Sequence, residues 1–112
     1  MLIMQPRTEA FRALADPTRR AILELLRAGP RTSGEIAEKF DSSWPTISRH
    51  LAVLREGGLV VTERKGQEIY YELNTSVLQD LVQRMMQWAN ATPERSGSRA
   101  SHARRTARQQ EA

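Results

Sequence analysis

The residues best able to do chemistry cluster in one short stretch, Ser43-Trp44-Pro45-Thr46-Ile47-Ser48-Arg49-His50. Their groups are hydroxyls, an indole, a guanidinium and an imidazole, which suit hydrogen bonding to phosphates and base edges. Arg49 carries a fork of donors that matches guanine O6 and N7, a contact worth about 1–3 kcal/mol of discrimination. Ser43 and the free N–H groups of a helix's first turn suit a phosphate oxygen. Thr46, Ser48 and Arg49 are the side chains best placed to reach base edges in a major groove. The plain alternative for Arg49 is a solvated surface arginine. Trp44 either packs against neighbouring structure or touches the sugar-phosphate backbone. At about 100° per residue, His50 lies beside the apolar stripe of its helix, which suits a packed, hydrogen-bonded residue better than a base reader or metal ligand.

A second group, Arg64-Lys65-Gly66-Gln67, concentrates two positive charges. Along a DNA backbone or in a minor groove it would add affinity that falls steeply with salt. A solvated turn has the same composition. Other chemistries find no support. Cysteine is absent, which excludes disulfides, thiolate metal sites and cysteine redox sensing. No nucleophile–base set, phosphate-binding glycine loop or metal constellation marks an enzyme.

These groups need elements to hold them, and periodicity supplies the outline. Thr8 can cap a short first helix carrying Phe11, Leu14 and Ala15. Asp16-Pro17 opens a second, with Asp16 at the N-cap and Ile22, Leu25 and Leu26 inward, and Gly29-Pro30 stops it. Thr32 and Glu35 form a capping-box pattern for a third helix through Phe40, with Ile36, Ala37 and Phe40 inward. After the polar connection Asp41-Ser42-Ser43, a fourth helix runs from about Trp44 to Glu56, with Ser43 as N-cap, Pro45 in the first turn and Gly57-Gly58 at its end. Ile47, Leu51 and Leu54 seat it on a core, while Pro45, Ser48, Arg49, Ala52 and Glu56 lie opposite.

Leu59 to Glu63 and Glu68 to Leu73 are β-branched and aromatic runs around Arg64-Lys65-Gly66-Gln67, the pattern of a hairpin. Asn74-Thr75-Ser76 offers caps for a last helix from about Val77 to Ala91. Its stripe of Leu78, Leu81, Val82, Met85, Trp88 and Ala89 either closes the domain's own core or buries against a second copy, with Phe11 and Leu14 as a further apolar edge. The fold class that results is mainly α with a small β-hairpin, a winged helix-turn-helix. A two-fold homodimer would match palindromic DNA.

The 112 residues suit one domain, placed at residues 1–91, followed by an Arg-rich tail at 92–112 whose composition reads as disordered. Of 17 basic and 13 acidic residues, five arginines and two glutamates follow Pro93, so the net +4 leaves only +1 for residues 1–93. Total charge therefore barely favours DNA, and the argument rests on where charges sit. The tail either grips duplex non-specifically or is a solvated extension. No apolar run reaches the roughly 20 residues of a membrane span, and Met1-Leu2-Ile3-Met4 is too short for a signal-peptide core. A cytoplasmic protein without membrane association is expected.

The motifs together resemble the ArsR family of bacterial winged-helix repressors. The matching stretches are Ala13-Leu14-Ala15-Asp16-Pro17-Thr18-Arg19-Arg20-Ala21-Ile22-Leu23, then Pro45 through Leu54 with Gly58-Leu59-Val60, and Arg64-Lys65-Gly66-Gln67 with Tyr70-Tyr71. The resemblance implies four helices, a β-wing and a fifth helix, dimerisation through the terminal helices, and repression by occupying operator DNA. It also implies that Ser43, Thr46, Ser48, Arg49 and the wing residues face the DNA. Many members sense metals through cysteines, or through histidines and acids on the last helix. Here the histidines are His50 and His102, and neither can join a multi-ligand site of suitable spacing. The chain looks closest to the metal-independent, SdpR-like autorepressor branch, with no metal, no cofactor and an inducer left unknown. The competing reading is a winged-helix protein-interaction module, which the near-neutral folded part keeps open.

Overall fold

The computed structural model describes residues 6–90. In chain order these are α1 (Pro6–Ala13), α2 (Pro17–Leu26), β1 (Arg31–Thr32), α3 (Ser33–Glu38), α4 (Trp44–Glu56), β2 (Val60–Lys65), β3 (Glu68–Leu73) and α5 (Thr75–Ala89). The chain divides into two compact units at the Gln79–Asp80 step. The first holds α1 to β3 and the first turn of α5; the described part of the second is the rest of that helix.

Local chemistry accounts for most of the boundaries. Asp16 Oδ2 accepts hydrogen bonds from the N–H groups of Thr18 (2.8 Å) and Arg19 (3.1 Å), and Pro17 occupies a position whose N–H would have no partner. Thr32 and Glu35 close the capping box at 3.1 and 2.9 Å. Ser43 Oγ accepts from Thr46 N at 3.3 Å and starts α4. Gly66, at φ +64, takes the left-handed turn between β2 and β3 that a side chain would resist.

The core of the first unit joins Ile22, Leu23 and Leu26 of α2, Ile36 of α3, and Ile47, Leu51 and Leu54 of α4, with Leu59 and Val60 at the start of the wing. Several expectations are corrected. Helix α1 begins at Pro6, so Thr8 lies inside it rather than capping it. Its buried positions are Ala10 and Ala13, while Phe11 and Leu14 are half-buried. Gly57 supplies the reason. A Cβ there would lie 3.0 Å from Glu9 O and 3.1 Å from the Ala10 Cα, so α1 crosses the end of α4 backbone to backbone and admits only small side chains. In α2, Leu23 is buried and Leu25 half-buried, a shift of the centre of the stripe by about 50°.

The wing is also larger than a hairpin. Arg31 and Thr32 pair antiparallel with Tyr71 and Tyr70, which makes a three-stranded sheet in the order β1-β3-β2. Strand β2 runs on to Lys65, which pairs with Glu68, so the turn is Gly66-Gln67 alone. Helix α5 starts at Thr75, two residues before the expected position, and ends at Ala89; Ala91 lies outside the described residues. Asn74 is used as a latch: its N–H donates to Leu59 O and its Nδ2 to Gly58 O, both at 2.9 Å, tying the end of the wing to its beginning.

Candidate nucleic-acid interface

Helix α4 has two faces. Ile47, Leu51 and Leu54 are at most 1% exposed, while Ser43, Trp44, Thr46, Ser48, Arg49 and Ala52 are all exposed. The three apolar anchors leave the leading turn of the helix on the surface. Ser43 Oγ also donates to Thr46 Oγ1 at 2.9 Å. The Ser43 hydroxyl is therefore occupied as a cap, whereas Thr46 keeps its own O–H to give to an acceptor outside. Trp44, 52% exposed, presents an indole beside these groups.

Behind that face a polar cluster ties α4 to the corner between α1 and α2. Arg19 donates from Nε to Ala13 O (2.7 Å) and from Nη2 to Arg12 O (3.2 Å); Arg20 Nη1 donates to Leu14 O (2.8 Å). Two guanidinium groups thus serve the carbonyls of Ala13 and Leu14 at the end of α1, and Arg19 adds a second donor to Arg12 O, which also accepts from Ala15 N at 3.0 Å. Arg19 Nη1 also lies 3.3 Å from His50 Nδ1, and His50 Nε2 lies 3.8 Å from Asp16 Oδ2. The N–H of Arg19, with His50 and the N–H of Thr18 nearby, holds the Asp16 carboxyl below the usual carboxylate range, against some desolvation. His50 takes the packed, hydrogen-bonded position that its place beside the stripe suggested.

The wing presents its two cations differently. Successive residues of a strand face opposite sides. Lys65 shares its face with Glu63, Glu68, Tyr70 and Glu72, and its Nζ stands 5.5 Å from the Tyr70 ring centroid. Arg64 shares the other face with Thr62, Ile69 and Tyr71, free of carboxylates. The expected double-charged tip is therefore two separate presentations, and Arg64 is the less neutralised. Gln67 is exposed in the turn.

On α5, Val82 (52%), Met85 (43%), Met86 (55%) and Trp88 (63%) are exposed, and Leu78 is half-buried. Leu81, expected at a dimer contact, is only 1% exposed, so it has no surface to offer a second copy. Met86, which the sequence reading passed over, joins the exposed stripe instead. Its signal was available, since it lies about 40° from Val82 at 100° per residue.

A model described as a helix-turn-helix domain matches residues 14–63. The transcriptional repressor SdpR of Bacillus subtilis (strain 168) is 51% identical over 80 residues, which are 71% of this chain and 89% of that one. The chain belongs to the ArsR family. The arsenical resistance operon repressor of Staphylococcus aureus is 35% identical over 75 residues, 67% of this chain and 72% of the relative. Among solved structures, an ArsR-like transcriptional regulator from Rhodococcus sp. RHA1 superposes with a TM-score of 0.69 at 27% identity, covering 75% of this chain and 79% of its own. A homodimeric winged helix-turn-helix DNA-binding domain from Mycobacterium bovis gives 0.62 at 29% identity, covering 75% and 79%. These relatives are transcriptional regulators, not enzymes.

For this ArsR-family chain the cap geometry and the seat of α4 were legible in the residues. The guanidinium capping of α1 was missed, although Arg19-Arg20, three and four positions after the Asp16 cap, stand where such donors would reach back. Among the described residues no three His, Cys, Asp or Glu side chains come close enough to hold a metal ion, and no helix is long and apolar enough to cross a membrane. A groove of about 390 Å³ opens over Leu14, Leu23, Leu73 and Leu78. Its rim charges are already engaged, Arg27 with Glu24 at 2.9 Å and Arg20 with Leu14 O.

Proposed function

We propose that this regulator is a homodimeric, sequence-specific DNA-binding repressor that acts in the cytoplasm by occupying palindromic operator DNA, that of its own gene included. Helix α4 enters the major groove. Thr46, Ser48 and Arg49 reach base edges there, while the helix's first turn, behind the Ser43 cap, and Trp44 meet the sugar-phosphate backbone. Arg64, with Lys65 and Gln67, follows the backbone or minor groove and contributes salt-dependent affinity. The second copy covers the apolar face of α5 through Val82, Met85, Met86 and Trp88, and Phe11 and Leu14 of α1 and the turn after it offer a further apolar edge. Residues 1–91 carry both activities, and residues 92–112, outside the described residues, add a net charge of +3.

The observation that carries this reading is the division of α4: three fully buried apolar anchors under a leading turn whose hydroxyls and guanidinium are exposed. Selection of bound sequences from a random duplex pool tests it. The expected product is a palindrome with half-sites about one helical turn apart, bound at nanomolar Kd at moderate salt. Recovery of no preferred sequence, with uniform weak binding, would reject operator recognition. A duplex spanning the DNA upstream of the chain's own coding sequence tests autorepression in the same assay.

A further inference from the structure

One imidazole ties the reading helix to α2 and, through Arg19, to the end of α1. The His50 side chain is 13% exposed and sits next to Arg49 in sequence. Arg19, 3.3 Å from its Nδ1, is itself held by the carbonyls of Arg12 and Ala13 at the end of α1. Asp16, 3.8 Å from its Nε2, is fixed as the cap of α2. These are the charged groups that face the ring. On the other elements packed against α4, the Glu9–Arg12 pair of α1, Glu35 and Glu38 of α3, and Glu63, Arg64 and Lys65 of β2 are exposed. A guanidinium can only donate, so the Arg19 contact requires a bare Nδ1 and places the ring proton on Nε2, toward Asp16.

We propose that His50 is a positioning residue for the DNA-reading turn of α4: through Arg19 it clamps the helix to the α1–α2 corner, and protonation of the ring opens that clamp. Protonation turns Nδ1 into a donor aimed at a donor, with two positive charges 3.3 Å apart, while the attraction to Asp16 grows. Arg19 leaves and Asp16 stays, so of the ring's two contacts with α2 only the one to its cap remains, and the link that Arg19 makes from His50 to the α1 carbonyls is lost. Histidine is the side chain that changes charge between about pH 5 and 8. Contacts to base edges carry the sequence information, whereas phosphate contacts carry none directly. Acidification therefore lowers discrimination more than general affinity. The DNA consequence rests on the reading of α4 given above; the clamp does not.

Two measurements decide it. In the full-length protein carrying His102→Gln, long-range nitrogen–proton NMR reads the tautomer and titration of the remaining ring. The expected result is a proton on Nε2, with the backbone amides of Ser48 and Arg49 shifting at the ring's own midpoint. A proton on Nδ1, or amides that ignore the ring, overturns the clamp. The second measurement compares the affinity for the duplex enriched from the random pool with that for an unselected duplex of equal length. Measured at one pH above and one below the midpoint that NMR gives for the ring, the wild-type ratio should fall about tenfold on acidification, the scale of one charge-assisted hydrogen bond. His50→Asn, which keeps an acceptor near Nδ1 but cannot titrate, should hold the ratio level; His50→Ala should be low at both pH values. A wild-type ratio that stays constant, or an equal slope in His50→Asn, refutes the proposal. If no duplex is preferred, the DNA reading fails, and the tautomer and amide titration still decide the clamp.

Discussion

Replacing Trp88 by alanine should weaken the dimer while leaving the protomer folded. Trp88 is 63% exposed in the single chain. A Trp side chain commonly buries about 150–250 Å², so a second copy that covers the exposed part removes about 130 Å² from water. At about 25 cal/mol per Å² that is about 3 kcal/mol per copy, and a two-fold pair loses it twice. Incomplete cover and the cost of ordering side chains reduce the gross figure, so about 2–4 kcal/mol is expected at the level of the dimer, a rise in Kd of about 30- to 1,000-fold. Sedimentation over a dilution series reads this directly. Thermal unfolding should agree, because the melting temperature of a dimer rises with concentration and that dependence should shift in the variant. Leu81→Ala is the contrast: Leu81 is buried within the chain, and its truncation should cost about 2–5 kcal/mol of fold stability. A Trp88→Ala protein that dissociates at the parent's concentration would show that the exposed face of α5 is not where copies meet.

Arg49→Ala should change stability by less than about 0.5 kcal/mol, as an exposed position does, yet relax discrimination at one base pair by about 1–3 kcal/mol. Binding to substituted duplexes checks this, and a uniform loss across all sequences would make Arg49 a phosphate contact instead. Gly57→Ala should destabilise the protein by about 1–3 kcal/mol, because the new Cβ meets backbone at 3.0–3.2 Å rather than a side chain that can turn away; urea unfolding measures it, and a neutral result would contradict the close crossing of α1. Asp16 has a folded-state pKa below its ordinary value of 3.8, so the stability that its charge contributes is present above that pH and lost as pH falls through the folded-state value. The stability gap between wild type and Asp16→Asn should accordingly persist into the acidic range and close only as pH falls through the folded-state value; a gap that stays constant through that range would refute the assignment.

What could be read from the residues is what short-range chemistry decides. Asp16-Pro17, Thr32 with Glu35, Ser43 with Pro45, and Gly66 each act through contacts within four positions of themselves, so their types and spacing placed three helix starts and a turn. The seat of α4 was equally legible, since Ile47, Leu51 and Leu54 repeat with the helical period. Contacts between distant segments were decided only by the tertiary structure. Phe11 and Leu14 carry the apolar weight of α1, but its backbone approach to Gly57 selects Ala10 and Ala13 for burial. Strand β1 is two residues long, too short for any periodicity, and exists because Tyr70 and Tyr71 offer it a ladder. On α5 a single wide stripe hides two fates: Leu81 is enclosed, while Val82, Met85 and Met86 are left outward. Hydrophobicity sets that a side chain seeks cover, but the cover comes from residues far along the chain, and only folding brings them there.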